Sequence, residues 1–201
     1  MLKRKTKRNN IIIILSILLI GICVFIKIND IYSKKNIMIK EEKIINNIIK
    51  NETTTISSDS TKKTSKQISE YNYVAILEIP KINLKKGLVK VTKNFKSINY
   101  AISIDSHSTF PDDIGNFILY AHSGNSRISY FDKLNNLEVK DEIKVYYNDV
   151  WYYYSIIKKY EVDKNGKLGI FNDNESKYIT LTTCSQENKN KQIVILGKER
   201  K

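Results

Sequence analysis

The run Ile11–Ile28, "IIIILSILLIGICVFIKI", holds a single charge, Lys27, and it divides the chain before any other feature does. Its 18 residues, at ~1.5 Å each, span ~27 Å as a helix, close to the ~30 Å hydrocarbon core of a bilayer once the Lys27 ammonium snorkels outward. Lys3, Arg4, Lys5, Lys7 and Arg8 precede it. The positive-inside rule therefore makes residues 1–10 a cytoplasmic basic tail and 11–28 a transmembrane signal anchor of a single-pass membrane protein, with everything after Ile28 outside the cell. A cleaved signal peptide fits less well, because no small-x-small site follows the run. Cys23 follows Ile22, where a lipoprotein would carry a small residue, so it reads as an apolar filler of the membrane helix.

The net charge of +13 divides unevenly: residues 1–70 hold 14 Lys/Arg against 6 Asp/Glu, and residues 71–201 hold 20 against 15. A nucleic-acid surface needs a basic stripe interleaved with aromatics, whereas the lysines after Tyr71 are scattered among acids, which argues against nucleic-acid partners. With 201 residues, 41% of them hydrophobic, the chain can bury the core of one ordinary domain and still leave appendages.

Residues 29–70 read as an extracytoplasmic stalk or linker. Ile44, Ile45, Ile48 and Ile49 recur at helical spacing in "KEEKIINNIIK", which predicts a short amphipathic helix. The following "NETTTISSDSTKKTSKQISE" has little to bury and predicts a flexible tether. From Tyr71 the pattern changes to short runs rich in β-branched and aromatic residues: "YVAILEIP", "GNFILYAH", "DEIKVYYN", "VWYYYSIIKKYEV", "YITLTTC" and "KQIVILGK". Asn148-Asp149 is a hairpin signal between two of them. Only "ISYFDKL", Ile128–Leu134, reads as a helical turn, with Ile128, Tyr130, Phe131 and Leu134 packing on the core. Residues 71–201 are thus expected to form a mostly β domain, a closed antiparallel barrel of about eight strands.

Two strand ends invite chemistry, His122 after "GNFILYA" and Cys184 after "YITLTT". If Ile179 and Leu181 face the core, alternation turns Tyr178, Thr180, Thr182 and Cys184 to the other face, toward a surface groove. Cys184 has no disulfide partner, since Cys23 lies in the membrane run, and one Cys with two His make a poor metal set. An exposed thiol outside the cell invites oxidation and needs a reason to stay. A thiol of ordinary pKa ~8.5 is a few per cent ionised at neutral pH, and an adjacent imidazole both stabilises thiolate and carries the proton, which makes His122 the natural partner. His107 sits in an acidic loop and reads as a solvated surface residue. Asp105, Asp112 and Asp113 are a weak signal for Ca²⁺, and no other cofactor is expected.

"LEIPKINL" (Leu77–Leu84), "GNFILYAHSGNSRISYFDKL" (Gly115–Leu134), "VKDEIKVYY" (Val139–Tyr147) and "TLTTCSQENKNKQIVILGK" (Thr180–Lys198) resemble, in order, the segments of sortases, the membrane-anchored cysteine transpeptidases of Gram-positive bacteria. The resemblance covers about Tyr71 to Lys198. It implies a closed eight-stranded β-barrel, antiparallel or mixed, with short helices, and with Cys184 as nucleophile and His122 as general acid/base. It implies as donor a surface protein with a C-terminal sorting signal of the Leu-Pro-x-Thr-Gly kind, held as a thioester on Cys184. The acceptor would be an amine of a lipid-linked cell-wall precursor or a pilin-type Lys. Thr182 and Thr183 would line the substrate groove, and Arg127 could reach it from its loop.

The chain departs from that pattern at one position. Sortases carry an Arg on the strand after the cysteine, just ahead of its apolar run, and here that place reads "NKQIVI". Gln192 is the best match, with Lys191 the alternative if the strand carries a bulge. A Gln amide donates a hydrogen bond to substrate or oxyanion, without charge. The short, helix-free connection from Asp163 to Ser176 and the lack of a second apolar span after the barrel favour a general anchoring enzyme over a pilin polymerase. The rivals are an extracytoplasmic cysteine peptidase, in which water resolves the acyl-enzyme, and a weakened sortase-fold binding module.

Overall fold

The computed structural model describes residues 2–53, 72–165, 169 and 171–200. Helix α1 runs Leu2–Thr53. Within it Leu15–Ser33, at mean hydropathy 1.9, is long and apolar enough to cross a membrane. Leu18, Phe25 and Ile26 in this span are exposed, as suits a helix with apolar side chains on every side. The chain forms two compact units, Met1–Glu41 and Glu42–Lys201. Most of the expected tether, residues 54–70, lies outside the described residues.

The second unit is built on a closed barrel of eight strands: β1 (Ala75–Ile79), β2 (Leu84–Lys90), β3 (Ile102–Ile104), β4 (Gly115–Tyr120), β5 (Glu142–Tyr147), β6 (Val150–Asp163), β7 (Lys177–Cys184) and β8 (Lys191–Glu199). Around the barrel their order is β1-β2-β3-β4-β7-β8-β6-β5. Closure leaves no long unpaired edge. The barrel is mixed, as the family resemblance allowed: β2 pairs with β3, and β4 with β7, in parallel. A parallel pair needs a crossover, and the hairpin β5–β6 supplies it between β4 and β7. That hairpin turns at Asn148 (φ 47) and Asp149 (φ 65), both left-handed as a two-residue type I′ turn demands.

The alternation of each strand sends one row inward. Leu77, Ile102, Leu119, Val145, Ile179, Leu181 and Ile195 are fully buried in one core, which Phe131, Leu134 and Leu137 close from the connection after β4. The segment expected as a helical turn is a set of turns leading into a 3-10 turn at Leu134–Asn136. Strand β4 begins at Gly115 with φ +144, where a Cβ would also meet Thr109 Oγ1 at 2.4 Å, so a side chain is excluded on both counts.

A second, smaller cluster sits outside the barrel. Ile76 and Tyr146 are register partners on β1 and β5, and they are covered by Ile45, which is fully buried, with Ile48, Ile49 and Trp151 around it. Lys85 Nζ donates to Asn46 Oδ1 at 3.1 Å beside them. The helical spacing of the isoleucines within the expected stalk is therefore a docking stripe, and a fully buried Ile contributes ~1.5–3 kcal/mol.

Candidate active site

The site is assembled by strand registers. β4 and β7 run parallel with Tyr120 beside Thr182, the last pair of that ladder; His122 and Cys184 each follow two residues further along. Two hydrogen bonds tie the strand ends in that alignment: Thr183 Oγ1 donates to the Ala121 carbonyl at 2.8 Å, and Ser123 Oγ to the Cys184 carbonyl at 2.6 Å. On the other side β8 runs antiparallel, with Cys184 directly opposite Gln192 and Thr182 opposite Val194. Directly partnered residues share a face. Cys184 and Gln192 thus stand side by side on β7 and β8, one step beyond the row Tyr120, Thr182, Val194, and His122 lies two residues past the end of β4.

These residues differ in what they have left to offer. Cys184 is a free thiol, half-buried. His122 Nε2 lies 3.3 Å from Asn99 Oδ1. The Thr182 hydroxyl is buried with no hydrogen-bond partner among the described residues. Thr183 points inward, and its hydroxyl is committed to Ala121. Burial, and next the charge of Asp105, push the Tyr120 hydroxyl well above the usual phenol range. Lys191 partners Asp163 rather than a β7 residue, and its Nζ is 3.9 Å from Glu161. Alternation turns it away from Gln192.

The groove expected along the whole outer face of β7 is open only at its far end. Tyr178 and Thr180 are both buried at 3% exposure. Thr180 Oγ1 donates to Asn116 Oδ1 at 3.0 Å, Asn116 Nδ2 donates to the Phe171 carbonyl at 2.8 Å, and the Phe171 ring meets Tyr178 edge-on at 5.0 Å. Tyr178 OH donates to Asp173 Oδ2 at 2.5 Å. The connection between β6 and β7 therefore seals this stretch. Its residues 166–168 and 170 are outside the described set.

A cleft of about 230 Å³ reaches Cys184 from the barrel end, lined by Ser123, Phe131, Asp132, Asn135, Asn136, Thr183, Cys184, Gln186, Glu187 and Ile193. Gln186 Nε2 donates to the Asp132 carbonyl at 2.7 Å and Asn135 Nδ2 to Glu187 Oε1 at 3.2 Å, so the β7–β8 turn is clasped to the 131–136 segment. Sequence reasoning named none of these polar lining residues after Cys184, although "SQEN" follows it directly. Arg127 is exposed in the loop after His122 and does not line the cleft. His107 is exposed, with Nδ1 3.0 Å from Asp105 Oδ1, and Asp112 accepts from Asn148 Nδ2 at 3.2 Å. Among the described residues no three His, Cys, Asp or Glu side chains gather as a metal site.

A closed mixed barrel with a free thiol at the end of one strand and an imidazole two residues past the end of the parallel strand beside it defines a narrow class. The description of a Sortase domain matches residues 77–200, and the chain belongs to the sortase family. Sortases as a family are transpeptidases that act on sorting-signal surface proteins and pilins. Sortase D of Bacillus subtilis (strain 168) is 30% identical over 127 residues, 61% of this chain and 62% of that protein, so the match spans less than two thirds of that relative. Among solved structures, a Clostridium perfringens Sortase D5 transpeptidase superposes at TM-score 0.57 with 19% identity, covering 64% of this chain and 79% of its own. Sortase C1 of Streptococcus agalactiae superposes at TM-score 0.57 with 25% identity, covering 80% and 89%.

Proposed function

We propose that the chain is a membrane-anchored cysteine transpeptidase that cleaves an LPxTG-like C-terminal sorting signal and transfers the surface protein to an amine. The observation that supports this reading is the direct pairing of the free thiol Cys184 with Gln192 on β7 and β8, with His122 two residues past the Tyr120–Thr182 pair of β4 and β7. The Cys184 sulfur attacks the carbonyl of the signal's Thr, forming the S–C bond, and the thiol proton passes to His122. The C–N bond then breaks as His122 gives that proton to the leaving amine. An acceptor amine reverses the sequence: its nitrogen forms the new amide bond, His122 takes its proton, and the sulfur leaves. Keeping the acyl group as a thioester conserves the energy of the peptide bond outside the cell, where no ATP is at hand. The steps balance without a cofactor.

Gln192 Nε2 donates to the developing oxyanion in place of the family's guanidinium, and the unpartnered Thr182 hydroxyl one step back meets the donor peptide. Arg127 contacts the donor from its loop. Leu15–Ser33 anchors the chain, with the basic tail in the cytoplasm and residues 71–201 outside as the catalytic domain. The acceptor is the peptide stem of a lipid-linked cell-wall precursor or a Lys of a pilin-type protein. The test is incubation of the full chain in detergent micelles with a sorting-signal peptide library and a small primary amine, products being identified by mass. Ligated product supports the reading. Hydrolysed peptide alone, unaffected by amine, makes the chain a cysteine peptidase, and binding without turnover makes it a binding module.

A further inference from the structure

Past Tyr120–Thr182, the last pair of the β4–β7 ladder, side-chain hydroxyls take over from the backbone, and His122 lies in the stretch they hold. Before it, the Ala121 carbonyl accepts from Thr183 Oγ1 at 2.8 Å. After it, Ser123 Oγ donates to the Cys184 carbonyl at 2.6 Å, so the neighbour of the imidazole is bonded to the residue that carries the thiol. The His122 carbonyl accepts from the Phe131 N–H at 3.0 Å. Ser123 is itself held from behind: its carbonyl accepts from Ser129 Oγ at 3.1 Å, and Ser129, which is buried, has its hydroxyl 2.8 Å from that of Ser126. Gly124 follows directly with φ +108, a conformation open to glycine, where the chain is free to turn. A glycine adds backbone freedom at this place, so the position of His122 against the thiol depends on the bonds made just before it.

We propose that Ser123 is the positioning residue of the His122–Cys184 pair. Its hydroxyl bridges the two strand ends where their backbone ladder has stopped, and so keeps the imidazole within reach of the thiol for the proton to pass. Ser129 supports it by fixing the Ser123 carbonyl. This rests on the reading of His122 as acid/base, and it names what holds the pair in register.

The test uses the full chain in detergent micelles on a Cys23→Ala background, which leaves Cys184 as the single thiol of the 2 in the sequence. Its alkylation by iodoacetamide reads the imidazole's hold on the thiol without any substrate, alongside peptide ligation. Ser123→Ala should slow alkylation about tenfold at about pH 7 and match the parent at about pH 10, where a thiol ionises unaided. It should also lower kcat about tenfold with KM moved less than about twofold, while Ser123→Thr, which keeps the hydroxyl, should retain both rates. If Ser123→Ala does not fold, Ser129→Ala decides instead: slowing of alkylation confined to neutral pH supports the proposal, and an unmoved profile overturns it. The proposal is also overturned if Ser123→Ala leaves alkylation and kcat unchanged, if it raises KM alone, as a mere wall of the cleft would, or if Ser123→Thr is no better than Ser123→Ala. Should His122→Ala ligate and alkylate as the parent does, the functional reading fails and the proposal with it. A slowed His122→Ala beside an unaffected Ser123→Ala overturns the proposal alone.

Discussion

The two ends of the outer face of β7 carry the same alternation and are finished differently. At Tyr178 and Thr180 the hydroxyls are tied to Asp173 and Asn116, and Phe171 covers them. At Thr182 and Cys184, on the same face, one hydroxyl has no partner among the described residues and the thiol is half-buried and free. Burying a polar group is costly unless it is hydrogen-bonded, so the first end is finished for stability, and in the proposed function the second is the end that the donor peptide completes. Substitutions at the two ends should accordingly separate into losses of stability and losses of turnover.

The largest effect belongs to the open end. Cys184→Ala should lower ligation by at least ~10⁴-fold, and His122→Ala by ~10²–10⁴-fold, each with a denaturation midpoint near that of the parent. Mass-based ligation and urea melts together check both. A Cys184→Ala protein that is as destabilised as a core variant would mean that the thiol packs the barrel and that the two ends are alike.

The sealed end should behave the opposite way. Thr180→Val removes the hydroxyl hydrogen bonded to Asn116 and leaves a buried amide oxygen short of a donor, a loss of ~1–3 kcal/mol in stability with turnover unchanged at temperatures where the protein is folded. If Thr180→Val slows ligation without lowering the midpoint, the donor peptide extends under the β6–β7 connection and the groove is longer than the surface implies.

Gln192 sharpens the contrast within the open end. A neutral amide hydrogen bond is worth ~0.5–1.5 kcal/mol and a charge-assisted one ~1.5–3, so Gln192→Ala should cost up to about tenfold in rate, and Gln192→Arg should raise it or leave it level. Lys191→Ala should be silent, because Lys191 partners β6 and lies toward Glu161. An inactive Lys191→Ala beside an unaffected Gln192→Ala would give the catalytic charge to Lys191.

Part of the open end was legible in the sequence because it depends on strand periodicity. Alternation in "YITLTTC" puts Cys184 on the outer face, whereas Gln192 was named only through the family resemblance, and the structure makes the two direct partners. What escaped depends on contacts distant in sequence. β2 was missed because "LKKGLVK" carries three lysines, of which Lys85 reaches Glu78 at 3.9 Å and Lys86 lies over the Tyr130 ring at 5.3 Å. β3 is 3 residues long, too short for any period to register. The seal over Tyr178 and Thr180, the cleft walls at Asp132 and Gln186, and the docking of Ile45 on Ile76 each join segments that no local pattern links.

The smallest effect concerns the acid sensitivity of the sealed end. Asp173 accepts from Tyr178 OH and from the N–H groups of Glu175 and Ser176, and the Tyr178 bond first, then the backbone bonds, hold its carboxyl down at about 2 against an ordinary value of 3.8. A carboxyl whose folded pKa is depressed adds stability above its unfolded pKa and loses it as pH falls through the folded one. The contribution should be constant from neutral pH down to about 5, shrink below about 4, and vanish near 2. Asp173→Asn should therefore lower the urea midpoint slightly at pH 7, and the gap from the parent should close between pH 4 and 2. Asp173 is exposed, so solvent screening keeps the effect small. Ligation at pH 7 should be untouched, since the seal and the row at Cys184 are separate parts of one strand. If Asp173→Asn shifted turnover as much as stability, loosening of the sealed end would be reaching the thiol, and the two ends of β7 would have to be treated as one cooperative element.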